Sequence, residues 1–188
     1  MKSIIVFDIE SNGFQNTSVL SISAIKAIYD KNIDDFKLTE KFNRYYYMEE
    51  NEKENPHALK INNLTKENIT KFRKNVDYPL YFKDDFYSFE KFSENTVLYV
   101  AHNIKFDMSF IPFIKKNNTF CTMNNNTYWN QKKLPSLKMT AMHYNVEIKD
   151  DNLHSSDYDT FLCFEIFKAM HKNRHSPLIK TLKRLEIK

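Results

Sequence analysis

The sequence predicts an α/β fold in which a central mixed sheet, three antiparallel strands joined by parallel ones, is flanked by helices in a single domain of 188 residues. Three observations carry the prediction. Residues 3–7 and 96–101 are short apolar runs rich in β-branched side chains, the mark of strands buried on both faces at the centre of a sheet. Residues 19–28 and 36–47 alternate apolar with polar or small side chains, as half-buried strands do. Residues 82–92, 137–144 and 158–171 place apolar side chains at helical spacing, so strands and helices interleave with no repeat, linker or low-complexity stretch.

The first strand, SIIVF, delivers Asp8 and Glu10 at its carboxyl end, and Ser11-Asn12-Gly13 turns the chain. Strand 19–28, a hairpin turn at 30–35 and the aromatic strand 36–47 complete the antiparallel start. Residues 49–56 are acidic loop, 57–61 begin a short helical segment, and Thr65 caps a helix through Ile69 and Phe72 that carries Glu67 in its first turn. Tyr78-Pro79 stops it. Phe82, Phe86, Phe89 and Phe92 form one apolar stripe, read as core. The run TVLYVA is a strand parallel to the first and ends in His102-Asn103; residues 106–115 then read as a helix with Asp107 in its first turn, and 119–123 as an edge strand. Pro135 and Ser136 open the helix at 137–144, Ser155 or Ser156 caps the long helix at 158–171, and the basic residues 172–188 read as a last helix packed on the body.

Composition bounds the function. A chain of this length buries a core without disulfides or structural metals, and neither Cys121 nor Cys163 has a CxxC partner. Residues 1–2 leave no room for a signal peptide and no apolar stretch spans a bilayer, so a soluble, reduced, cytoplasmic protein without a membrane partner is expected. The net charge of +4 and pI near 8.8 suit a polyanionic partner only mildly. Lys, Asn, Ile, Phe and Tyr abound and Gly13 is the lone glycine, a bias that AT-rich coding produces whatever the function; the 15% aromatic content therefore reads as core packing rather than a base-stacking platform. Positions needing φ > 0 fall to asparagine.

The chemistry concentrates in IIVFDIESNGF, residues 4–14. Side chains two apart on a strand share a face, roughly 6–7 Å from each other. Asp8 and Glu10 therefore repel, and one would take up a proton unless a cation lay between them. A metal ion is the simplest answer, and Asp107 and Asp159 are further oxygen ligands, because functional groups of an open α/β sheet gather at the carboxyl ends of its strands. His154 precedes Asp159 by five positions, about 140° away on a continuous helix, and so belongs to the loop before it, leaning over the site from outside the metal shell. Each acid has a plainer local reading: solvated strand end for Asp8 and Glu10, first-turn acid for Asp107, capping-box partner of Ser156 for Asp159. None explains why all converge. Asp157 reads as solvent-facing or as the helix cap, and His102 as fixing the loop after its strand.

Asp8-Ile9-Glu10 with Ser11-Asn12-Gly13, then His102-Asn103-Ile104-Lys105-Phe106-Asp107, then His154-Ser155-Ser156-Asp157-Tyr158-Asp159 resemble, in order and separation, the three motifs of the DnaQ-like (DEDDh) 3′→5′ exonucleases. The resemblance runs from Ile4 to about Met170. Ile61-Asn62-Asn63-Leu64-Thr65 is similar to the family's His-Gly-Ile-Thr segment, with Asn63 where glycine is usual, and residues 134–146 resemble its small helix before the third motif. One such motif is weak; three in the right elements are specific. The resemblance implies an RNase H-like fold, two divalent cations, Mg²⁺ or Mn²⁺, held by Asp8, Glu10, Asp107 and Asp159, and His154 as general base near neutral pH. It also implies contacts to the terminal nucleotide from Ser11, Asn12, Gly13, Phe14, Asn63, Leu64 and Phe106, with Ser11-Asn12 replacing the usual Thr-Thr and Cys121-Thr122 standing where Asp-Thr is common.

The implied substrate is the 3′ end of single-stranded DNA or RNA, released as nucleoside monophosphates. Proofreading beside a DNA polymerase, RNA trimming by an exoribonuclease and short-oligonucleotide degradation by an oligoribonuclease all use this framework, and the sequence separates neither these nor the oligomeric state. A nuclease-like binding module that docks on a polymerase is the rival class; five intact catalytic positions argue against it. Phosphatases with an Asp-x-Asp strand end fail on Glu10.

Overall fold

The computed structural model describes residues 2–14, 16–149 and 155–187. Strands β1 (Ser3–Ser11), β2 (Val19–Asp30), β3 (Asp35–Tyr45), β4 (Thr96–Ala101) and β5 (Thr119–Cys121) form one sheet in the order β3-β2-β1-β4-β5. The pairs β3/β2 and β2/β1 are antiparallel and β1/β4 and β4/β5 parallel, which is the mixed sheet expected. The helices are α1 (Pro56–Asn62), α2 (Lys66–Phe72), α3 (Phe82–Phe92), α4 (Ile104–Asp107), α5 (Leu137–His143), α6 (Ser156–Lys172) and α7 (Ser176–Arg184). None of them is long and apolar enough to cross a membrane.

Alternation along β1 feeds two cores. Ile4 and Val6 join Leu98 and Val100 beneath Leu162, Ile166 and Phe167 of α6. Ile5, Phe7 and Ile9 point the other way, against Phe82 and Phe89 of α3. Since successive strand residues face opposite sides, Asp8 and Glu10 continue the face that α6 covers. The register then carries that position outward: Glu10 lies opposite Ser21 of β2, and Ser21 opposite Tyr45 of β3.

Some elements are shorter than their spacing predicts. Spacing predicts a helix over 106–115, but α4 is a single turn followed by a 3₁₀ turn at Met108–Phe110. Pro112 is the cause, because the residue before a proline is driven out of the helical region, and Ile111 sits at φ −125°, ψ 79°. The edge strand is likewise shorter than the predicted 119–123, ending at Cys121.

Asparagine takes six of the eleven left-handed corners among the described residues, and Asp34, Gln131, Lys132, Arg174 and Glu186 take the rest. Asn16, Asn63, Asn75, Asn95, Asn103 and Asn145 have φ between 55° and 103°, whereas Gly13 is not among the positive-φ residues. Asn63 closes α1 at φ 55°, ψ 24°, its N–H bonded to Leu59 O. Asn63→Gly is expected to hold stability within about 1 kcal/mol, whereas β-branched Asn63→Val should lose about 1–3 kcal/mol, read as unfolding midpoints in urea. Equal stability of the two variants would contradict the backbone assignment.

Candidate active site

The site is assembled at the carboxyl end of β1. Asp159 stands in the first turn of α6, on the side to which Asp8 and Glu10 point, and its charge bears on both. Asp107 comes from the opposite direction. The β1/β4 ladder ends at Val6 and Val100, and the N–H of Ile9, beyond it, is taken instead by Asp107 Oδ1 at 3.1 Å. A hydrogen bond to the residue between Asp8 and Glu10 thus fixes the buried Asp107 beside them.

The turn that presents Asp107 is anchored by its neighbours. Asn103 enters α4 at φ 103°. His102 Nε2 lies 3.1 Å from Pro135 O, which can only accept, so Nε2 carries the hydrogen and Nδ1 accepts from the Thr122 hydroxyl at 2.9 Å. Burial pushes the His102 pKa down to about 4, which keeps the ring neutral while it ties the ends of β4 and β5 to the start of α5.

Electrostatics set the character of the site. Burial, then the charges of Asp107, Glu10 and Asp159, hold the Asp8 carboxyl well above the usual carboxylate range. Burial and Asp159 push Glu10 to about 7, against an opposing hydrogen bond from Asn62. Asp107 is pushed to about 8, chiefly by burial, with the Ile9 N–H working the other way. Asp8 Oδ2 is buried with no hydrogen-bond partner among the described residues. An all-oxygen donor set of mutually repelling acids with an orphaned carboxylate oxygen fits a hard divalent cation such as Mg²⁺ or Mn²⁺. Among the described residues no three His, Cys, Asp or Glu side chains are gathered closely enough to hold a metal ion.

The remaining expected residues divide. His154 lies outside the described residues. Asp157 is exposed, so of the two acids in that motif it is Asp159 that reaches the cluster. Asn12 is buried and its amide is spent on the 52–55 segment, donating to Glu52 Oε1 (2.6 Å) and Lys53 O (2.8 Å) and accepting from Asn55 N (2.9 Å). Gly13 passes so close that an added Cβ would meet Asn55 Nδ2 at 3.1 Å. The Ser11 hydroxyl donates to Gly13 O, and Phe14 beyond is 82% exposed. Asn62 spans the gap to α1: its Nδ2 donates to Ser11 O (3.1 Å) and its Oδ1 accepts from Leu64 N (3.0 Å).

A cleft of about 570 Å³ opens beside Glu10. Asn63 and Leu64 line it, as do Asn62, Asp157 and Tyr158, whereas Ser11, Asn12, Gly13, Phe14 and Phe106 do not. Phe106 is half-buried and packs edge-on against Phe110 at 5.3 Å. Its other walls, Lys41 and Tyr45 of β3, Phe72 of α2 and Phe161 of α6, were not singled out as site residues from sequence. The register row Glu10–Ser21–Tyr45 is the signal that could have found the first wall.

An acid whose pKa is raised on folding destabilises the folded state as pH climbs from its unfolded value toward its folded one. For Asp107 that window runs from about 3.8 to about 8. Asp107→Asn, which keeps the acceptor for Ile9 N–H, is therefore expected to match wild type in thermal stability near pH 4 and to exceed it near pH 8, both in EDTA. Equal stability at both pH values would contradict the repulsion described.

The RNase_T family model, described as exonuclease, matches residues 5–167. No curated protein matches the chain in sequence. Among solved structures, Exonuclease X in complex with 5′ overhanging duplex DNA is similar at a TM-score of 0.61 and 17% identity, over 95% of this chain and 99% of that one. Cell-death related nuclease 4 gives 0.65 and 13%, over 93% and 65%. The zinc-bound E. coli ExoI–ssDNA complex gives 0.71 and 14% over 98% of this chain but 43% of that one, so the chain spans less than half of ExoI. These likenesses are of fold, the RNase H-like mixed sheet flanked by helices. With the family match running from before Asp8 to beyond Asp159, the chain belongs to the RNase_T exonuclease family, DnaQ-like hydrolases of the 3′→5′ class that generally depend on divalent metal ions.

Proposed function

We propose that the chain removes nucleoside monophosphates from the 3′ end of single-stranded DNA in a reaction that requires two divalent cations, Mg²⁺ or Mn²⁺. The observation that carries this reading is the convergence of Asp8, Glu10, Asp107 and Asp159 beside a cleft, with Asp8 Oδ2 buried and lacking a donor among the described residues. When bound, such cations supply positive charge to the scissile phosphate and lower the pKa of the attacking water.

The chain's own contribution is to hold and to move a proton. The Asp107–Ile9 bond and the Asn62 contact to Glu10 restrain two of the acids in advance, so little reorganisation is left for the reaction. In this reading the imidazole of His154 takes the proton from water, a role that the ordinary imidazole pKa near 6.5 suits near neutral pH. Asn63 and Leu64, at the cleft wall, hold the terminal nucleotide. DNA is favoured over RNA because Exonuclease X and ExoI are solved with DNA.

The test is a set of 5′-labelled substrates: single-stranded DNA, duplex DNA with a mismatched 3′ end, and RNA, each with Mg²⁺, Mn²⁺ or EDTA. A ladder from single-stranded DNA with either metal and none in EDTA is expected; a preference for the mismatched duplex would point to proofreading, and a ladder from RNA alone to an exoribonuclease. No ladder from any of them would overturn the reading. Asp8→Ala should lose about 10²-fold or more in rate, and His154→Ala about 10² to 10⁴-fold. His154→Ala should keep the thermal stabilisation that Mn²⁺ gives wild type; its loss would contradict a base outside the metal shell.

A further inference from the structure

The cleft extends well beyond the carboxylates. From Glu10 the register steps across Ser21 to Tyr45, two strands away and about 10 Å along the sheet. That span is about one nucleotide from phosphate to base edge; because a phosphate at the acids links the last two nucleotides, and Asn63 and Leu64 are assigned to the terminal one, the wall at Tyr45 is left for its neighbour. At its far end the Phe72 ring stacks on Tyr45, with centroids 4.5 Å apart and planes at 26°. Phe72 is nevertheless 51% exposed and lines the cleft. Phe161 of α6, 43% exposed, lines the cleft as well. Lys41, on the same face of β3 as Tyr45, lines the cleft too, and no ion pair among the described residues engages its ammonium. An aromatic ring with a solvent-facing side, backed by a second ring and accompanied by an uncommitted cation, is the combination that takes a nucleobase and its phosphate without regard to base identity.

We propose that Phe72, backed by Tyr45, is the stacking platform for the base second from the 3′ end, and that Lys41 meets the phosphate on the 5′ side of that nucleotide. This rests on the exonuclease reading above and adds to it a requirement: the enzyme holds at least two unpaired nucleotides, because a base stacked on Phe72 has left its complement. Phe72 and Lys41 act on binding of the strand and touch none of the reacting atoms.

Two substrates separate the platform from the catalytic site: the p-nitrophenyl ester of thymidine 5′-monophosphate, which has a terminal base and no second one, and the oligonucleotide dT10. Phe72→Ala is expected to raise KM for dT10 about 5- to 100-fold, to leave kcat and ester hydrolysis within about 2-fold, and to be rescued by Phe72→Trp. Lys41→Gln should also raise KM for dT10 and make the log–log salt dependence of binding shallower by about 0.7. A 2-aminopurine second from the 3′ end should be quenched on binding wild type and not Phe72→Ala, whereas one at the 3′ end should be quenched by both. Wild type that hydrolyses neither substrate overturns the exonuclease reading itself. Wild type that hydrolyses both, with Phe72→Ala unchanged on dT10 or equally impaired on the ester, overturns only the platform.

Discussion

The fold must keep like charges together where nothing covalent forces them to stay. Charges of Asp8, Glu10, Asp107 and Asp159 meet from three different elements and raise the pKa values of the first three, so the work of holding them falls to packing. Two devices accomplish it. The apolar half of β1 is sandwiched between α6 and α3, which fixes the strand so firmly that its last carboxylates cannot turn away. The early end of β4 then leaves the Ile9 N–H unpaired, and a buried donor without a partner is costly enough to draw Asp107 in.

Much of this was legible in the sequence because it follows from periods. A period of two put Asp8 and Glu10 on one face, a helical period placed Asp159 at the head of α6, and the scarcity of glycine pointed to asparagine at left-handed corners, as found at six of the eleven among the described residues. What escaped was what depends on several segments at once. Pro112 shortened α4 against a helical apolar stripe, a local clash that spacing does not register. The commitment of the Asn12 amide to Glu52, Lys53 and Asn55, some forty positions on, has no signal in the residues beside Gly13. The aromatic walls of the cleft were hidden by composition: in a chain with 16 phenylalanines and 11 tyrosines, Tyr45 and Phe72 do not stand out until register brings them beside Glu10.

The division between the two faces of the sheet also separates the tasks of the molecule. The α3 face is dominated by rings, with Phe7 tilted and Phe42 edge-on against Phe89, and Asp8 and Glu10 point away from it. On the α6 face the apolar packing gives way, over the length of β1, to serine pairs such as Ser21 with Ser156 (2.9 Å) and then to carboxylates. Rigidity comes from one side and chemistry from the end of the other, which lets the acids be strained without loosening the sheet.

The use of asparagine in place of glycine moves a thermodynamic burden between states. Glycine at a left-handed corner is relaxed in the native fold but widens the range of shapes open to the unfolded chain, at about 0.5–1 kcal/mol per residue relative to alanine. Asparagine at Asn63 or Asn103 accepts strain in the native backbone while narrowing the denatured ensemble. A chain with a single glycine therefore begins folding from a stiffer coil, and part of the order that other proteins must create on collapse is already present before any core forms.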